Sequence, residues 1–201
     1  MPRYRVAAVV LAVCALCSVF IAAHHPHNLH DARLDEATHG ALIVSGVAIE
    51  CVLILYALRP MANRTINVVA IVLSALGMLG IVLAGCTDGF FVPWFQSYVS
   101  SGSVDARSAH AVFAAAWIAI QILSKLSFIA IGCAGILWCM EMLREPRFRI
   151  AGAIGTLSAL GLVLFAAIGG PLRPHNLVVA GIALSVWCCA LAYRIAAQPA
   201  A

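Results

Sequence analysis

Six apolar stretches, most of them about as long as a membrane-spanning helix, dominate this sequence. They cover residues 6–23, 41–58, 66–85, 113–140, 150–169 and 177–193. A helix needs about 20 mostly apolar residues to cross the hydrocarbon core of a bilayer. The pattern therefore predicts an all-α integral membrane protein, a bundle of about six transmembrane helices. The fourth stretch is longer than one crossing requires, so we expect it to tilt or protrude.

The composition agrees with this prediction and excludes other classes of protein. The chain has 201 residues, which suits a single domain over 1–201, and 64% of them are hydrophobic while only 10% are charged. Soluble domains average roughly 45–50% apolar and about 25% charged residues, so most of this surface must face lipid. The net charge of +4 is small and the arginines are scattered, which argues against a nucleic-acid partner.

Basic residues are distributed unequally between the two sides of the predicted bundle. Eight arginines fall on the side of the termini: Arg3, Arg5, Arg59, Arg64, Arg144, Arg147, Arg149 and Arg194. Three fall on the opposite side: Arg33, Arg107 and Arg173. Because cytoplasmic loops carry the excess of basic residues, both termini are predicted to be cytoplasmic, in the inner membrane of a bacterium.

Two segments need a separate interpretation. The first stretch resembles a signal peptide, but with cleavage after Ala23 the third residue back from the cleavage point is Ile21, where a small residue is required. We therefore expect the first helix to be retained. Residues 86–110 are predicted to form an outward loop, lying partly in the interface because aromatic residues surround Pro93.

All seven histidines fall on the predicted outward side. They are His24, His25, His27, His30, His39, His110 and His175, and Asp31 and Asp35 accompany them. Imidazole and carboxylate groups are ligands for zinc or copper, and a short His-rich tract is typical of metal binding. The alternatives are a solvated loop with weak, adventitious affinity, or a haem held by two of His39, His110 and His175.

Helical spacing extends this polar side into the membrane. One stripe of the second helix contains Asp31, Asp35, His39, Gly46 and Glu50, and one stripe of the fourth contains His110, Gln121, Ser124 and Lys125. Ionisable residues at membrane depth cost about 2.5–3.5 kcal/mol each on insertion scales, so Glu50 and Lys125 are predicted to pair close to Gln121. Such a pair would serve either a proton or ion path or only the register of the helices.

Three functional hypotheses follow from these residues. The first is a transport or sensing protein that binds a metal ion, or couples to protons, through the outward His/Asp side and the Glu50–Lys125 pair. The second is an accessory or scaffold subunit that packs against partner membrane subunits or its own copies, and the third is a haem-binding electron carrier. We do not expect an enzyme, because the chain has no phosphate-binding Gly-rich loop and no nucleophile motif.

Overall fold

The computed structural model describes residues 2–25, 32–58 and 64–197, without the side chains of residues 2, 3, 32, 174 and 175. These residues form helices and connections, and no strand occurs among them. The helices are α1 Pro2–Ala23, α2 Ala32–Ala57, α3 Arg64–Cys86, α4 Val92–Ser100, α5 Ala106–Leu143, α6 Arg149–Ile168 and α7 Pro174–Ala197. A π-helical turn, Thr87–Phe91, joins α3 to α4, and a 3₁₀ turn, Pro146–Phe148, precedes α6.

Over the described residues, the structure confirms an all-helical fold with six helical segments long and apolar enough to cross a membrane. Each predicted stretch falls within one helix to within one residue at its C-terminal end, and α3, the π turn and α4 count together as one segment. Helix α2 begins at Ala32, nine residues before the predicted stretch. Its first two turns therefore carry Asp35 and His39 on regular helix.

The segment 86–110 is largely helical, whereas the sequence pattern predicts a loop. Pro93 lies in the first turn of α4, where its missing N–H leaves no hydrogen bond unmade. Helix α4 ends at Ser100, and Gly102, two residues further on, has a φ of 78°, which suits a residue without a Cβ. Asp105 then caps α5 by accepting hydrogen bonds from the backbone N–H groups of Arg107 and Ser108.

The six long helices form a closed ring. In order around it, α1 packs on α2, α2 on α3, α3 on α5, α5 on α6, α6 on α7, and α7 returns to α1. The α5–α6 contact is close because α6 presents glycines to it. A Cβ on Gly152 would lie 2.8 Å from the Cys139 carbonyl oxygen, so only glycine allows this approach. Gly161 of the same helix, by contrast, has open space around it.

The ring encloses an apolar core and exposes an apolar outer surface. The core contains Trp138 and Trp187, whose ring centroids are 6.3 Å apart and which are fully buried. On the outside, large aliphatic side chains are between 62% and 79% exposed: Val44, Leu55, Leu157 and Ile168. Such an exposed apolar surface is rare on proteins that live in water.

The end of the bundle that carries the chain termini is tied together by one buried arginine. The guanidinium of Arg194 in α7 donates from Nη1 to the hydroxyl of Tyr56 in α2 at 2.8 Å. It also donates from Nη2 to the carboxylate of Glu145, next to the 3₁₀ turn. These bonds connect three separate parts of the ring.

Candidate metal centre

Two histidines and one aspartate meet at the opposite end of the bundle. His25 follows the last turn of α1, His39 lies in the second turn of α2, and Asp88 lies in the π turn. One potential ligand atom from each lies within 4.8 Å of the other two. Single π turns inside helices are frequent at functional sites, and this one places Asp88 beside α2.

His39 is the centre of the group, and its two ring nitrogens have different surroundings. Nδ1 lies 3.0 Å from the backbone carbonyl oxygen of Asp35, to which it donates as the N–H tautomer. Nε2 lies 3.3 Å from Nε2 of His25 and 3.2 Å from Oδ2 of Asp88. A histidine that binds a metal typically donates its other ring N–H in this way, which fixes the ring and leaves the facing nitrogen as the ligand.

The approach of the π turn to His39 depends on Gly89. A Cβ at that position would overlap Cβ and Cγ of His39 and lie 2.7 Å from its Nδ1. Any side chain there would push the π turn away from α2 and would separate Asp88 from the two histidines. Gly89 therefore holds the group together by steric means.

A second carboxylate borders the group. Asp35 is buried, and its Oδ1 lies 3.4 Å from Nδ1 of His39 and 3.7 Å from Nε2 of His25. The two carboxylates beside the two imidazoles carry two negative charges. These charges balance either one divalent cation, or one protonated imidazole and one further proton. Without a cation, the carboxylate of Asp88 and a neutral His39 Nε2 would direct lone pairs at each other, which is unfavourable.

Two of the three spacings between the ligand atoms, both measured from His39 Nε2, suit a small transition metal, and the third lies within 4.8 Å. Nitrogen and oxygen ligands lie about 2.0–2.2 Å from zinc in a tetrahedral site, so they are separated from each other by about 3.3–3.5 Å. The two distances from His39 Nε2, 3.3 and 3.2 Å, agree with such an edge. Three protein ligands would leave the fourth position open.

The open side faces a cavity of about 320 Å³ inside the ring. Its outer end is lined by His25, His39 and Asp88, and its inner end by Ile49, Met78 and Ile131. Most other lining side chains are apolar. A wider groove of about 740 Å³ between α1, α6 and α7 has an almost entirely apolar lining and no carboxylate or imidazole.

The structure brings only part of the predicted histidine side together. His24 is exposed, with Nδ1 2.8 Å from the Phe20 carbonyl oxygen, and His110 is exposed in the first turn of α5. Neither belongs to the group around His39. His27, His30, Asp31 and the side chain of His175 lie outside the described parts of the chain. The enclosure of His39 and the exposure of His110 give no support to a haem held between those two.

Glu50 and Lys125 have different partners instead of the predicted ion pair. Ser74 Oγ donates to Oε2 of Glu50 at 2.6 Å, and Lys125 Nζ donates to the carbonyl oxygen of Gly169 at 3.0 Å. Gln121 exchanges two hydrogen bonds with the backbone of Leu172, at 3.0 and 2.6 Å. Lys125 and Gln121 thus hold the connection between α6 and α7. The ammonium group of Lys125 binds the carbonyl oxygen of Gly169 in this connection and not the carboxyl group of Glu50.

Asp88 is the site residue that the sequence analysis did not include. Its segment is predicted as loop, and it stands 49 positions from His39, so no helical spacing connects the two. The sequence offered only its place on the outward side, beside a glycine. No known protein family, curated protein or solved structure matches this chain.

Proposed function

We propose that this chain is a membrane protein that binds a divalent transition-metal ion, zinc or copper, through His25, His39 and Asp88, in order to transport or sense it. The observation that carries the proposal is the position of His39 Nε2, within 3.3 Å of both other ligands while Nδ1 donates to the backbone. This arrangement prepares three donors for one cation.

Membrane insertion is supported by the apolar outer surface and the six long helices. The excess of arginine at the opposite end of the bundle supports cytoplasmic termini, which places the metal site at the outward end. In a bacterium this protein would reside in the inner membrane, with the site facing the periplasm.

The donor set argues for zinc or copper over other ions. Two imidazoles and a carboxylate suit zinc and copper(II), whereas calcium takes 6–8 oxygen ligands. Structural zinc sites are closed by four protein ligands, while sites that exchange a ligand keep one position open. A three-residue site that opens onto a cavity therefore favours reversible binding, as transport or sensing requires.

The test is metal titration of the detergent-purified chain. Equilibrium dialysis against zinc and against copper(II) is expected to give one ion per chain in the wild type. His39→Ala and Asp88→Asn should abolish that stoichiometric binding, because each removes a ligand. His110→Ala is the matched control, since it removes an exposed imidazole from the same end of the bundle.

Adventitious binding by the His-rich tract is tested by a second control. His27→Ala combined with His30→Ala removes two imidazoles of the tract while leaving the three proposed ligands. If this double variant loses the metal and His39→Ala keeps it, the proposed site is wrong. Wild-type protein that binds neither metal would instead favour the scaffold hypothesis. Reporter fusions at the C-terminus test its cytoplasmic location.

A further inference from the structure

The carboxyl group of Glu50 is buried without a cation. Glu50 is 8% exposed, and its Oε2 accepts one hydrogen bond, from Ser74 Oγ at 2.6 Å. Its Oε1 has no hydrogen-bond partner among the described residues. A carboxylate in this position would be desolvated and stabilised by only one hydroxyl group, which strongly disfavours the charged form.

Glu50 lies just beneath the floor of the cavity. Gly46, one helical turn closer to the metal end on α2, lines the cavity together with Met78 of α3. Met78 is likewise one turn closer to that end than Ser74, so the Gly46–Met78 contact stands directly above the Glu50–Ser74 hydrogen bond. A Cβ on Gly46 would lie 2.8 Å from Met78 Sδ. The thioether of Met78 therefore lies against Gly46 at the cavity, one helical turn above Glu50.

We propose that Glu50 is a proton-binding site at the inner end of the cavity, which exchanges its proton with water in the cavity when the Met78 side chain moves aside. In this step a hydronium ion in the cavity gives its proton to Oε1 of Glu50 and becomes water, and the reverse step releases the proton. Ser74 holds Oε2 and keeps Oε1 directed away from itself. Met78 suits this role because a thioether chain is flexible.

The groups that face Glu50 leave it no other ligand. Ser74 is the one polar partner of its carboxyl group, and no charged side chain in the described parts of α1, α3, α5 or α7 acts on it. Lys125 of α5 is engaged with Gly169, and Arg194 of α7 with Glu145. The two carboxyl oxygens of Glu50 and the hydroxyl oxygen of Ser74 are too few ligands for a sodium, calcium or magnesium ion. A proton needs only one oxygen.

The metal site lines the outer end of the cavity and Glu50 lies beneath its inner end, about 16 Å away at 1.5 Å per residue along α2. Proton exchange at Glu50 does not depend on metal binding at His39. It can therefore be tested on metal-free protein, and a failure of either proposal leaves the other standing.

The experiment is infrared spectroscopy of the full chain in lipid vesicles at neutral pH. Wild type is expected to show the C=O stretching band of a protonated carboxylic acid, which disappears in Glu50→Gln and remains in the control Glu36→Gln. Glu36 is exposed on the same helix. Transfer to D₂O should shift the band as the acid proton exchanges, and Met78→Ala should accelerate that shift severalfold.

Two outcomes would overturn the inference. Absence of the band in wild type would show that Glu50 is ionised, and a band that does not respond to D₂O would show that the cavity gives no access to it. Should Glu50→Gln not fold, ¹³C-labelled glutamate in wild type identifies the band by its isotope shift. Ser74→Ala should then raise the band frequency, because the carbonyl loses its hydrogen-bond donor.

Discussion

The change Asp35→Asn separates two roles that Asp35 would have at the proposed metal site. Its backbone carbonyl accepts the hydrogen bond from His39 Nδ1 at 3.0 Å, and its carboxylate lies 3.4 Å from the same nitrogen. Asparagine keeps the backbone acceptor, so the ring orientation and tautomer of His39 are retained. Only the negative charge is lost.

The size of the effect follows from the distances. Asp35 Oδ1 is 3.7 Å from His25 Nε2, and a metal bound to that nitrogen would lie about 5 Å from the carboxylate, given a metal–nitrogen distance of about 2 Å. A dication at that distance gains roughly 2 kcal/mol in a water-like medium and about 7 kcal/mol at an effective dielectric constant of 20. Outer-shell changes typically reduce metal affinity by about 10–100-fold, or roughly 1.4–2.7 kcal/mol, which corresponds to the water-like end. We expect this range because the site opens onto a cavity.

The assay is a competition titration of zinc against a chromophoric chelator, with Asp35→Asn and Glu36→Gln compared to wild type. Glu36→Gln makes the same change of charge at the adjacent, exposed position and should leave the affinity near that of wild type. If Asp35→Asn lost less than about threefold in affinity relative to wild type, the loss would be well below the expected range and would refute the reasoning. Equal losses in both variants would indicate a general effect of charge.

Three further predictions concern the framework. Gln121→Ala removes two hydrogen bonds to the α6–α7 connection and should lower the free energy of unfolding by about 1–3 kcal/mol, measured by denaturant titration in detergent micelles. Arg194→Met should lower the free energy of unfolding by about 1–3 kcal/mol in the same assay. This is less than the loss of a fully buried ion pair, because Glu145 is 44% exposed and can turn to water. An unchanged free energy of unfolding would show that the network contributes nothing. Hydrogen bonding by Ser108 lowers the pKa of Asp105, so the contribution of this cap to α5 is present above the ordinary pKa of aspartate and is lost as the pH falls through the lowered value. The protection of the first-turn amides of α5 against hydrogen exchange, relative to their intrinsic rate, should therefore fall in acid, and Asp105→Ala should remove that dependence.

The spacing of the second helix predicted its polar side well, because residues four positions apart share a helix face whatever the rest of the fold does. His39 and Asp35 do lie together, with Nδ1 of one 3.4 Å from Oδ1 of the other. Asp88 could not be added from sequence, since its position depends on a π turn and on the absence of a side chain at Gly89. Both features become meaningful only when α2 packs against that turn.

The predicted Glu50–Lys125 pair shows the limit of reasoning from depth alone. The sequence predicts both residues within the membrane, but depth does not say which way around the ring a side chain points. Lys125 turns to the carbonyl oxygen of Gly169, and Glu50 turns to Ser74 on the neighbouring helix. The choice of partner was decided by the order of helices around the ring.

The sequence by itself determined that the chain forms long apolar helices with a polar stripe on α2, because hydrophobicity and helical period are local properties of a segment. Only the tertiary structure decided that His25, His39 and Asp88 share one site, that Lys125 serves the α6–α7 connection, and that Glu50 lies beneath a cavity. These are contacts between segments far apart in the chain, and they depend on which helices become neighbours and how closely their backbones approach.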